Sequence, residues 1–382
     1  MKSKSNILSF LLAVVFLLMI LGTGCSSSGK RPFLTPIIPG VGLAEITNPS
    51  QFPDFTDDYD EETLLRSIDH SIAYFSRIKS YPGVFRSIGF SPEKQIETLR
   101  FFQDGYLQCN NSQELNSFIS ENFRVFQAVG KKYAGEVLFT GYGTPIYDGS
   151  LTRTATFRYP LYKKPADFKQ PYFTRREIEE RNLLKGYEIA YLNSKLDAYL
   201  IHVQGSGQLK LPSGEKAYIG YGANSGHEYT SIGRLLVMDG KIPEDELTLS
   251  TLLSYFEQHP DELDHYLRQN NRYIFFRKVN HAIPHGSIGV PVTAMRSIAT
   301  DKNVLPPGGL TFAVIETKRS RFASWFRKKG KVEKSFLALD QDTGSAINTP
   351  ARADIYFGIG DDAMYKAGSL NTYGRLYYLL KR

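Results

Sequence analysis

Three aspartates near the carboxyl terminus have the sequence context that best suits catalysis. Asp301 and Asp342 lie at the edges of predicted strands, and Asp354 directly precedes the apolar run Ile355–Phe357. A carboxyl group that is partly buried near other carboxyl groups has a raised pKa, and it can then donate a proton as a general acid. Aspartates beside glycines are also common in turns, where they cap backbone groups. The spacing alone leaves both interpretations open.

Other common catalytic signatures are absent from the sequence. The seven histidines form no HExxH pattern, no GxSxG motif occurs, and Cys109 has no sequence context typical of a nucleophile. The strings Gly205–Gly207 and Gly358–Gly360 lack the third glycine and the flanking elements of a dinucleotide site. We therefore expect neither a metal nor a cofactor.

Composition places the chain among soluble globular proteins of one or two domains. It has 382 residues, of which 42% are hydrophobic and 22% charged, which argues against collagen-like, disordered and multi-span membrane classes. Lys and Arg total 46 against 39 Asp and Glu, giving a net charge of +7. This balance favours an anionic partner.

The amino terminus has the pattern of a secreted lipoprotein. Lys2 and Lys4 precede an apolar stretch over residues 7–22, which is shorter than the roughly 20 residues that span a bilayer comfortably. The stretch ends at Cys25 in a string resembling a bacterial lipobox, although Leu21 lies one place further from the cysteine than usual. We expect lipidation of Cys25 and, because Ser26 follows it, sorting to the outer membrane. An uncleaved signal anchor is the alternative.

If Cys25 carries lipid, Cys109 has no partner in the chain for a disulfide. We therefore expect Cys109 to be a small buried hydrophobic residue. Residues 26–45 are expected to form a tether, since prolines recur from residue 32 to residue 53.

The elements that must position the aspartates follow from periodicity. Helical spacing and helix signals predict helices at Glu61–Ile78, after Ser91-Pro92, from Ser112 to Gly130 with Phe123 and Phe126 on the buried face, after Thr174, at Tyr229–Met238 and at Leu247–Gln269 with a break at Pro260. Short apolar runs predict strands at Glu136–Phe139, ended by Tyr142–Pro145, and at Leu310–Ile315, Ser335–Leu339, Ala353–Phe357 and Arg375–Leu380.

Ordered strings around these elements resemble a known family. Asp342–Ile347, Asp354–Gly360 and the earlier Asp301 resemble the 3D domain, which is named for three aspartates. The remaining chain is similar to the membrane-bound lytic murein transglycosylase A family, on the strings Phe139–Pro145, Val203–Gly207, Tyr221–His227 and Ser231–Arg234. The resemblance covers roughly residues 130–382.

The resemblance implies a fold that is mainly β with helices. A six-stranded double-psi β-barrel (barwin-like) would comprise residues 46–145 and 284–382, with the 3D domain at 290–382. A smaller β-rich domain, residues 146–283, would be inserted between the two barrel segments. A glycan strand of peptidoglycan would bind in the groove between the domains.

The resemblance also implies an activity. Members cleave the β-1,4 bond between N-acetylmuramic acid and N-acetylglucosamine without water, and leave 1,6-anhydro ends. The catalytic aspartate falls on Asp354, with Asp342 and Asp301 in supporting roles. The sugar-binding positions fall on Tyr142, Thr144, Gln204, Gly205, Ser206 and Gly207. No nucleic acid partner is expected; complexes with wall-synthesis proteins are left open.

Some residues beside the proposed site depart from the family pattern. They are Gly143, Ser345, Asn348 and Thr349, and they leave subsite preference and rate open. The segment Lys318–Lys334 holds eight basic residues around Phe322, Trp325 and Phe326. It is either a solvated hairpin tip or a contact for anionic lipid or wall polymer. Two other functions remain open, a two-carboxylate glycoside hydrolase on a similar barrel and a non-catalytic wall-binding lipoprotein.

Overall fold

The computed structural model describes residues 33–318 and 331–382, and the side chains of residues 317, 318, 331 and 332 are not considered. The predicted signal sequence, Cys25, the first part of the predicted tether and most of the basic segment lie outside the described residues. The flanks of that basic segment are antiparallel strands, paired as far as Lys318 and Lys331.

The described residues contain ten α-helices and fourteen strands. The helices are α1 (Glu61–Arg77), α2 (Gly83–Arg86), α3 (Pro92–Tyr106), α4 (Ser112–Asn122), α5 (Arg175–Glu180), α6 (Lys195–Gln204), α7 (Ile232–Met238), α8 (Leu249–Gln258), α9 (Leu263–Gln269) and α10 (Asp361–Ser369). The strands are β1 (Leu43–Ile46), β2 (Phe123–Ala128), β3 (Val137–Thr144), β4 (Ile146–Ser150), β5 (Tyr159–Tyr162), β6 (Glu188–Leu192), β7 (Gly207–Lys210), β8 (Lys216–Asn224), β9 (Ile274–Val279), β10 (Ser297–Ala299), β11 (Leu310–Lys318), β12 (Lys331–Asp342), β13 (Arg352–Ile359) and β14 (Asn371–Lys381). The fold is therefore mixed helix and sheet rather than mainly β.

Six of the strands close into a barrel. The larger sheet has the order β1-β2-β14-β11-β12-β10-β13-β3, and an additional pairing joins β14 to β3. That pairing matches Asn371–Gly374 with residues 137–140 and completes the ring β3-β13-β10-β12-β11-β14. Two pairings in the ring, β10 with β12 and β13 with β3, are parallel.

Alternating side chains along the barrel strands separate its interior from its outer face. On β13, Ala353 and Ile355 are fully buried, whereas Arg352 and Asp354 between them are only partly buried. On β3, the fully buried residues are Val137 and Phe139. Because successive residues of a strand point to opposite faces, the intervening residues project outward. The catalytic candidate Asp354 therefore lies on the outside of the barrel.

A second sheet is built from the middle of the chain. Its six strands have the order β5-β6-β4-β7-β8-β9. The chain passes from the barrel into this sheet at Pro145, between β3 and β4, and the next barrel strand after β9 is β10. Apolar side chains of β5 to β9, together with Ala198 and Ile201 of α6, form its core.

Most of the predicted helices are present. Ser91 caps α3 through the amide of Lys94, and Thr174 forms a capping box with Glu177 at the start of α5. The break at Pro260 separates α8 from α9. These predictions are confirmed because their start signals are local to the sequence.

The predicted helix to Gly130 is wrong in its second half. Asn111, rather than Ser112, caps α4, and the helix ends at Asn122. Phe123 and Phe126 instead belong to β2, which lies between β1 and β14. Phe123 and Phe126 are fully buried. A strand buried on both faces has a near-continuous apolar pattern, which resembles a buried helix in sequence.

Three further expectations need correction. Tyr142 and Gly143 do not break the strand after Phe139, since β3 continues to Thr144. The predicted tether boundary at residue 45 is too late, because Leu43 is fully buried and pairs with Ala128. Cys109 is partly buried rather than buried, and it packs at the edge of the main core. Among the described residues, every helix is too short or too polar to span a bilayer.

Candidate active site

Strand β13 places Asp354 beside β3. The parallel register pairs Asp354 with Thr140 and Arg352 with Leu138, so all four side chains lie on the outer face of the barrel. The side chain of Asp354 is 15% exposed. A β-carbon built on Gly344 would lie 4.0 Å from its Oδ2 atom. The loop that follows Asp342 therefore closes over one side of Asp354.

Two neighbours donate hydrogen bonds to Asp354. The Thr140 hydroxyl donates to Oδ1 at 2.5 Å, and Nε of Arg352 donates to the same oxygen at 2.9 Å. Nη2 of Arg352 reaches Oδ2 at 3.2 Å and also donates to the Thr140 hydroxyl at 3.1 Å. The immediate charged partner of Asp354 is thus a cation, whereas the sequence suggested only other carboxyl groups nearby.

Asp342 lies in a pocket of hydrogen-bond donors. Its Oδ2 accepts a bond of 2.8 Å from the Tyr142 hydroxyl, and its Oδ1 accepts bonds of 2.8 Å from the amides of Ser287 and Thr343. Burial raises the pKa of Asp342, and these donors partly oppose that shift by favouring the charged form. All of these bonds tie Asp342 to the protein itself.

Tyr142 of β3 bonds to Asp342 and is affected by the charge of Asp354. Burial, followed by the charge of Asp342, raises the pKa of Tyr142 well above its ordinary value, so the hydroxyl remains a neutral donor. Its ring packs against Tyr356 with centroids 5.2 Å apart. Thr144 is 2% exposed, and its hydroxyl lies 3.2 Å from the Tyr356 hydroxyl. Thr144 thus lies beneath the surface, where it supports Tyr356.

Asp301 lies in a turn. Its Oδ1 accepts bonds of 3.0 Å from the backbone amide and the side-chain amide of Asn303. Its backbone oxygen accepts from the amides of Val304 and Leu305. These contacts match both the supporting role and the alternative interpretation of a capping aspartate.

A fourth aspartate, Asp340, was not predicted from the sequence. It is fully buried, and it forms an ion pair with Lys302. The hydroxyls of Thr300 and Tyr378 donate to its Oδ2 at 2.7 and 2.8 Å. Burial raises the pKa of Asp340, and the Lys302 ammonium opposes that shift. The only sequence signal was the position of Asp340 two residues before Asp342 on one strand, which places both side chains on the same face.

The segment Gln204–Gly207 joins the second sheet to the barrel. Oε1 of Gln204 accepts a bond of 3.1 Å from the amide of Gly143. Gly205 ends α6 in the left-handed conformation, with φ of 77°, and Ser206 leads into β7 at Gly207. A β-carbon on Gly143 would lie 3.1 Å from Sδ of Met364 and 3.2 Å from the Gly358 oxygen. The glycine there accommodates the close approach of α10.

The outer face extends beyond Asp354 along β14. Asn371 pairs with Thr140, and Tyr373 pairs with Leu138. Directly paired residues of antiparallel strands share a face. Tyr373 is 43% exposed, and Nζ of Lys131 lies 5.7 Å from its ring centroid. A strip of polar and aromatic side chains therefore runs from Asp354 to Tyr373 on the barrel surface.

This arrangement can perform proton transfer with one carboxyl group. All four aspartates accept hydrogen bonds from the protein, but Asp354 is partly exposed and adjoins an open strip, whereas Asp340 and Asp301 are buried. Within residues 33–318 and 331–382, no three His, Cys, Asp or Glu side chains are grouped so that they could hold a metal ion. Two surface depressions of about 420 and 430 Å³ lie against α4, and no residue of this set lines either one.

Comparison with known proteins gives matches over most of the chain. A family model described as the MltA specific insert domain matches residues 138–277, and a 3D domain model matches residues 296–380. Membrane-bound lytic murein transglycosylase A of Escherichia coli K12 is 31% identical over 258 residues, covering 66% of this chain and 68% of that protein. A homolog of that protein from Buchnera aphidicola is 28% identical over 296 residues, covering 76% and 79% of the two chains.

Solved structures give the same result. A membrane-bound lytic murein transglycosylase from Agrobacterium tumefaciens is similar with a TM-score of 0.72 and 27% identity, covering 89% of this chain and 98% of that one. E. coli MltA with bound chitohexaose is similar with a TM-score of 0.73 and 26% identity, covering 89% and 94%.

Proposed function

Because this chain belongs to the membrane-bound lytic murein transglycosylase A family, we propose that it cleaves peptidoglycan glycan strands on the outer face of its barrel, with Asp354 as the acid and base. The chain is a lytic transglycosylase. The observation that supports the site is the position of Asp354, which is partly exposed beside an open strip of the barrel surface. Asp340 and Asp301 are buried, and Asp342 accepts three hydrogen bonds from Tyr142, Ser287 and Thr343.

In the first step, protonated Asp354 donates its proton to the oxygen that links N-acetylmuramic acid to N-acetylglucosamine. The bond between this oxygen and C1 of the muramoyl sugar breaks, and the N-acetylglucosamine side leaves with a new hydroxyl group. Asp354 is then a carboxylate. One group therefore performs the general acid step.

In the second step, the Asp354 carboxylate removes the proton from the O6 hydroxyl of the same muramoyl sugar. O6 bonds to C1, a 1,6-anhydro ring forms, and Asp354 returns to its protonated state. The attacking hydroxyl belongs to the substrate, so its effective concentration is high and no water is consumed. Ordinary glycosidases instead require two catalytic carboxyl groups flanking the bond.

The remaining residues have supporting roles in this proposal. Asp342, held by Tyr142, supplies negative charge near Asp354, and Asp301 stabilises the turn after β10. Gln204–Gly207 lines the groove from the side of the second sheet, and Tyr142 lines it from the barrel. We further propose that the closed six-stranded ring is a double-psi β-barrel and that residues 146–283 are an inserted domain. The two parallel pairings in the ring support this assignment.

We also propose that lipid on Cys25 anchors the protein to the outer membrane, with the barrel facing the periplasm. The lipobox-like string at Leu21–Cys25 and Ser26 support this location, and the curated relatives are named membrane-bound. Growth with radiolabelled palmitate, followed by membrane fractionation, tests this location. Label that persists in a Cys25→Ala variant would contradict lipidation of Cys25.

Digestion of purified sacculi tests the proposed function. The expected products are muropeptides with 1,6-anhydro ends, which are lighter by one water than the reducing-end products of a hydrolase. Reducing ends would support a two-carboxylate hydrolase. Binding to sacculi with no released product would support a wall-binding lipoprotein.

A further inference from the structure

The contacts of Arg352 with Asp354 carry an inference that rests on the proposed function. We propose that Arg352 is a positioning residue that holds the Asp354 carboxyl group through both of its oxygens in the empty groove, and that substrate binding must detach it from Oδ2 before Asp354 can act as an acid. Nothing in the aspartate pattern of the sequence required a cation at this place.

The geometry shows a bidentate contact between Arg352 and Asp354. Nε and Nη2 of Arg352 contact the two carboxylate oxygens at 2.9 and 3.2 Å, in the fork arrangement that suits a guanidinium. The positions are two residues apart on β13, so both side chains project from the same face. Nη1 lies 3.4 Å from the Ala346 oxygen, which ties the arginine to the loop after Asp342.

The two oxygens of Asp354 are not equivalent. Oδ1 accepts from both Thr140 and Arg352, whereas Oδ2 accepts only the longer bond from Nη2 among the hydrogen bonds of the described residues. Oδ2 also faces Gly344, where there is no side chain. The contact at Oδ2 is therefore the weaker one, and Oδ2 is the oxygen that we assign to proton donation.

The charges of this pair also act on neighbouring titratable groups. Asp342 and Tyr142 lie on the barrel side, and the charge of Asp354 acts on Tyr142. The charge of Arg352 acts on Tyr229, which lies in the segment between β8 and α7. Arg352 is the cation in contact with Asp354 among the ion pairs of the described residues, so its substitution by a neutral residue removes that opposite charge.

The proposal changes the order of events and keeps the atom balance. In the empty protein Asp354 is a carboxylate paired with Arg352. When a glycan enters, Nη2 leaves Oδ2, and Oδ2 takes a proton from solvent. That proton passes to the glycosidic oxygen as the C1–O bond breaks, and the proton of O6 restores it as the O6–C1 bond forms.

The test compares the pH profile of kcat/KM for three full-length proteins, wild type, Arg352→Gln and Arg352→Lys, acting on soluble glycan strands. In the proposed mechanism the activity requires a general acid, so the profile should fall at high pH. Arg352→Gln should move the midpoint of this fall upward by about one pH unit, because an opposite charge within about 4–6 Å shifts a carboxyl group by about 1–3 units and Arg352 is 31% exposed. Arg352→Lys keeps the charge, so its midpoint should stay within about half a unit of wild type.

A second measurement does not depend on activity. With carboxyl-¹³C-labelled aspartate, the resonance absent from Asp354→Asn identifies Asp354, and it should titrate about one unit higher in Arg352→Gln than in wild type. Arg375→Gln is the matched control, because Arg375 pairs with Glu333 on the same barrel and does not contact Asp354. It should leave both profiles unchanged.

The outcomes separate this inference from the proposed function. If Asp354→Asn is inactive while the Arg352→Gln profiles superimpose on wild type, the inference is wrong and the function stands. If Asp354→Asn remains active, the proposed site is wrong. If Arg352→Gln does not fold, a shift of more than one unit in Arg352→Lys would overturn the inference, because charge would then not govern the midpoint.

Discussion

Removal of the Tyr142 hydroxyl should destabilise the protein in a pH-dependent manner. In Tyr142→Phe, the bond of 2.8 Å to Oδ2 of Asp342 is lost, and the ring can still pack on Tyr356. The raised pKa of Tyr142 keeps the wild-type hydroxyl protonated across the tested range. The substitution therefore isolates one hydrogen bond to a carboxyl group.

The size of the effect depends on the charge of Asp342. A hydrogen bond to a charged group contributes about 1.5–3 kcal/mol, and a neutral pair contributes about 0.5–1.5 kcal/mol. Burial raises the folded-state pKa of Asp342 above that of the unfolded chain. Stability from this group is thus present below the unfolded value of about 3.9 and is lost as the pH rises through the folded pKa. Removal of the Tyr142 donor raises the folded-state pKa of Asp342 further. The free energy of unfolding therefore decreases more at neutral pH than at low pH.

We expect Tyr142→Phe to lower the free energy of unfolding by about 2 kcal/mol at pH 7 and by about 1 kcal/mol or less near pH 4. Urea unfolding followed by circular dichroism measures both values. Tyr356→Phe is the matched control, because its hydroxyl contacts the neutral Thr144 and should cost the same at both pH values. An equal loss for Tyr142→Phe at the two pH values would refute the reasoning.

Two further substitutions probe the support and the surface of the site. Lys302→Met leaves the buried Asp340 carboxylate without its cation, and it should lower the free energy of unfolding by about 3–5 kcal/mol at pH 7. A loss below about 1 kcal/mol in urea unfolding would contradict the importance of this pair. Tyr373→Ala removes an exposed ring from the strip beside Asp354 and should raise KM for glycan strands roughly tenfold with kcat unchanged, as expected for a contact made equally in ground and transition states. An unchanged KM in steady-state assays would place the glycan elsewhere.

Local signals in the sequence predicted a large part of the fold. Caps such as Ser91 and Thr174 act within one helical turn, so they could be recognised without tertiary information. Helix α6 was missed although Ser194 caps it and Gly205 ends it. Its residues Ala198 to His202 are all buried, and a helix that is apolar on every side has no amphipathic period to recognise.

Helix α10 was missed for a different reason. The N-cap residue of this helix is Gly360, which makes no side-chain hydrogen bond. The sequence therefore contains no capping side chain that marks the start of the helix. The small residues at the contacts of this helix allow close packing against neighbouring elements, and they give no helical pattern in the sequence. A β-carbon on Gly141 of β3 would lie 2.6 Å from Cα of Ala367, and one on Gly368 would lie 2.7 Å from Cβ of Leu249. Contacts of this kind depend on distant parts of the chain.

The sequence predicted the aspartates of the site but not the residues that contact them. Asp354 and Asp342 were found through motif resemblance, and Thr140 and Tyr142 lie in the string Phe139–Pro145 that carried the same resemblance. The pairing of Asp354 with Arg352 depends on strand alternation, which was available in the sequence once β13 was assigned. The contact between Gln204 and Gly143 joins two sheets and required the three-dimensional structure.

Asp354→Asn tests the central claim most directly. The substituted protein should release anhydro-muropeptides from glycan strands at least about a thousandfold more slowly, and its affinity for those strands should stay within about tenfold of wild type, because the carboxyl group acts mainly in the transition state. Turnover at the wild-type rate would contradict the assignment of Asp354 as the acid and base.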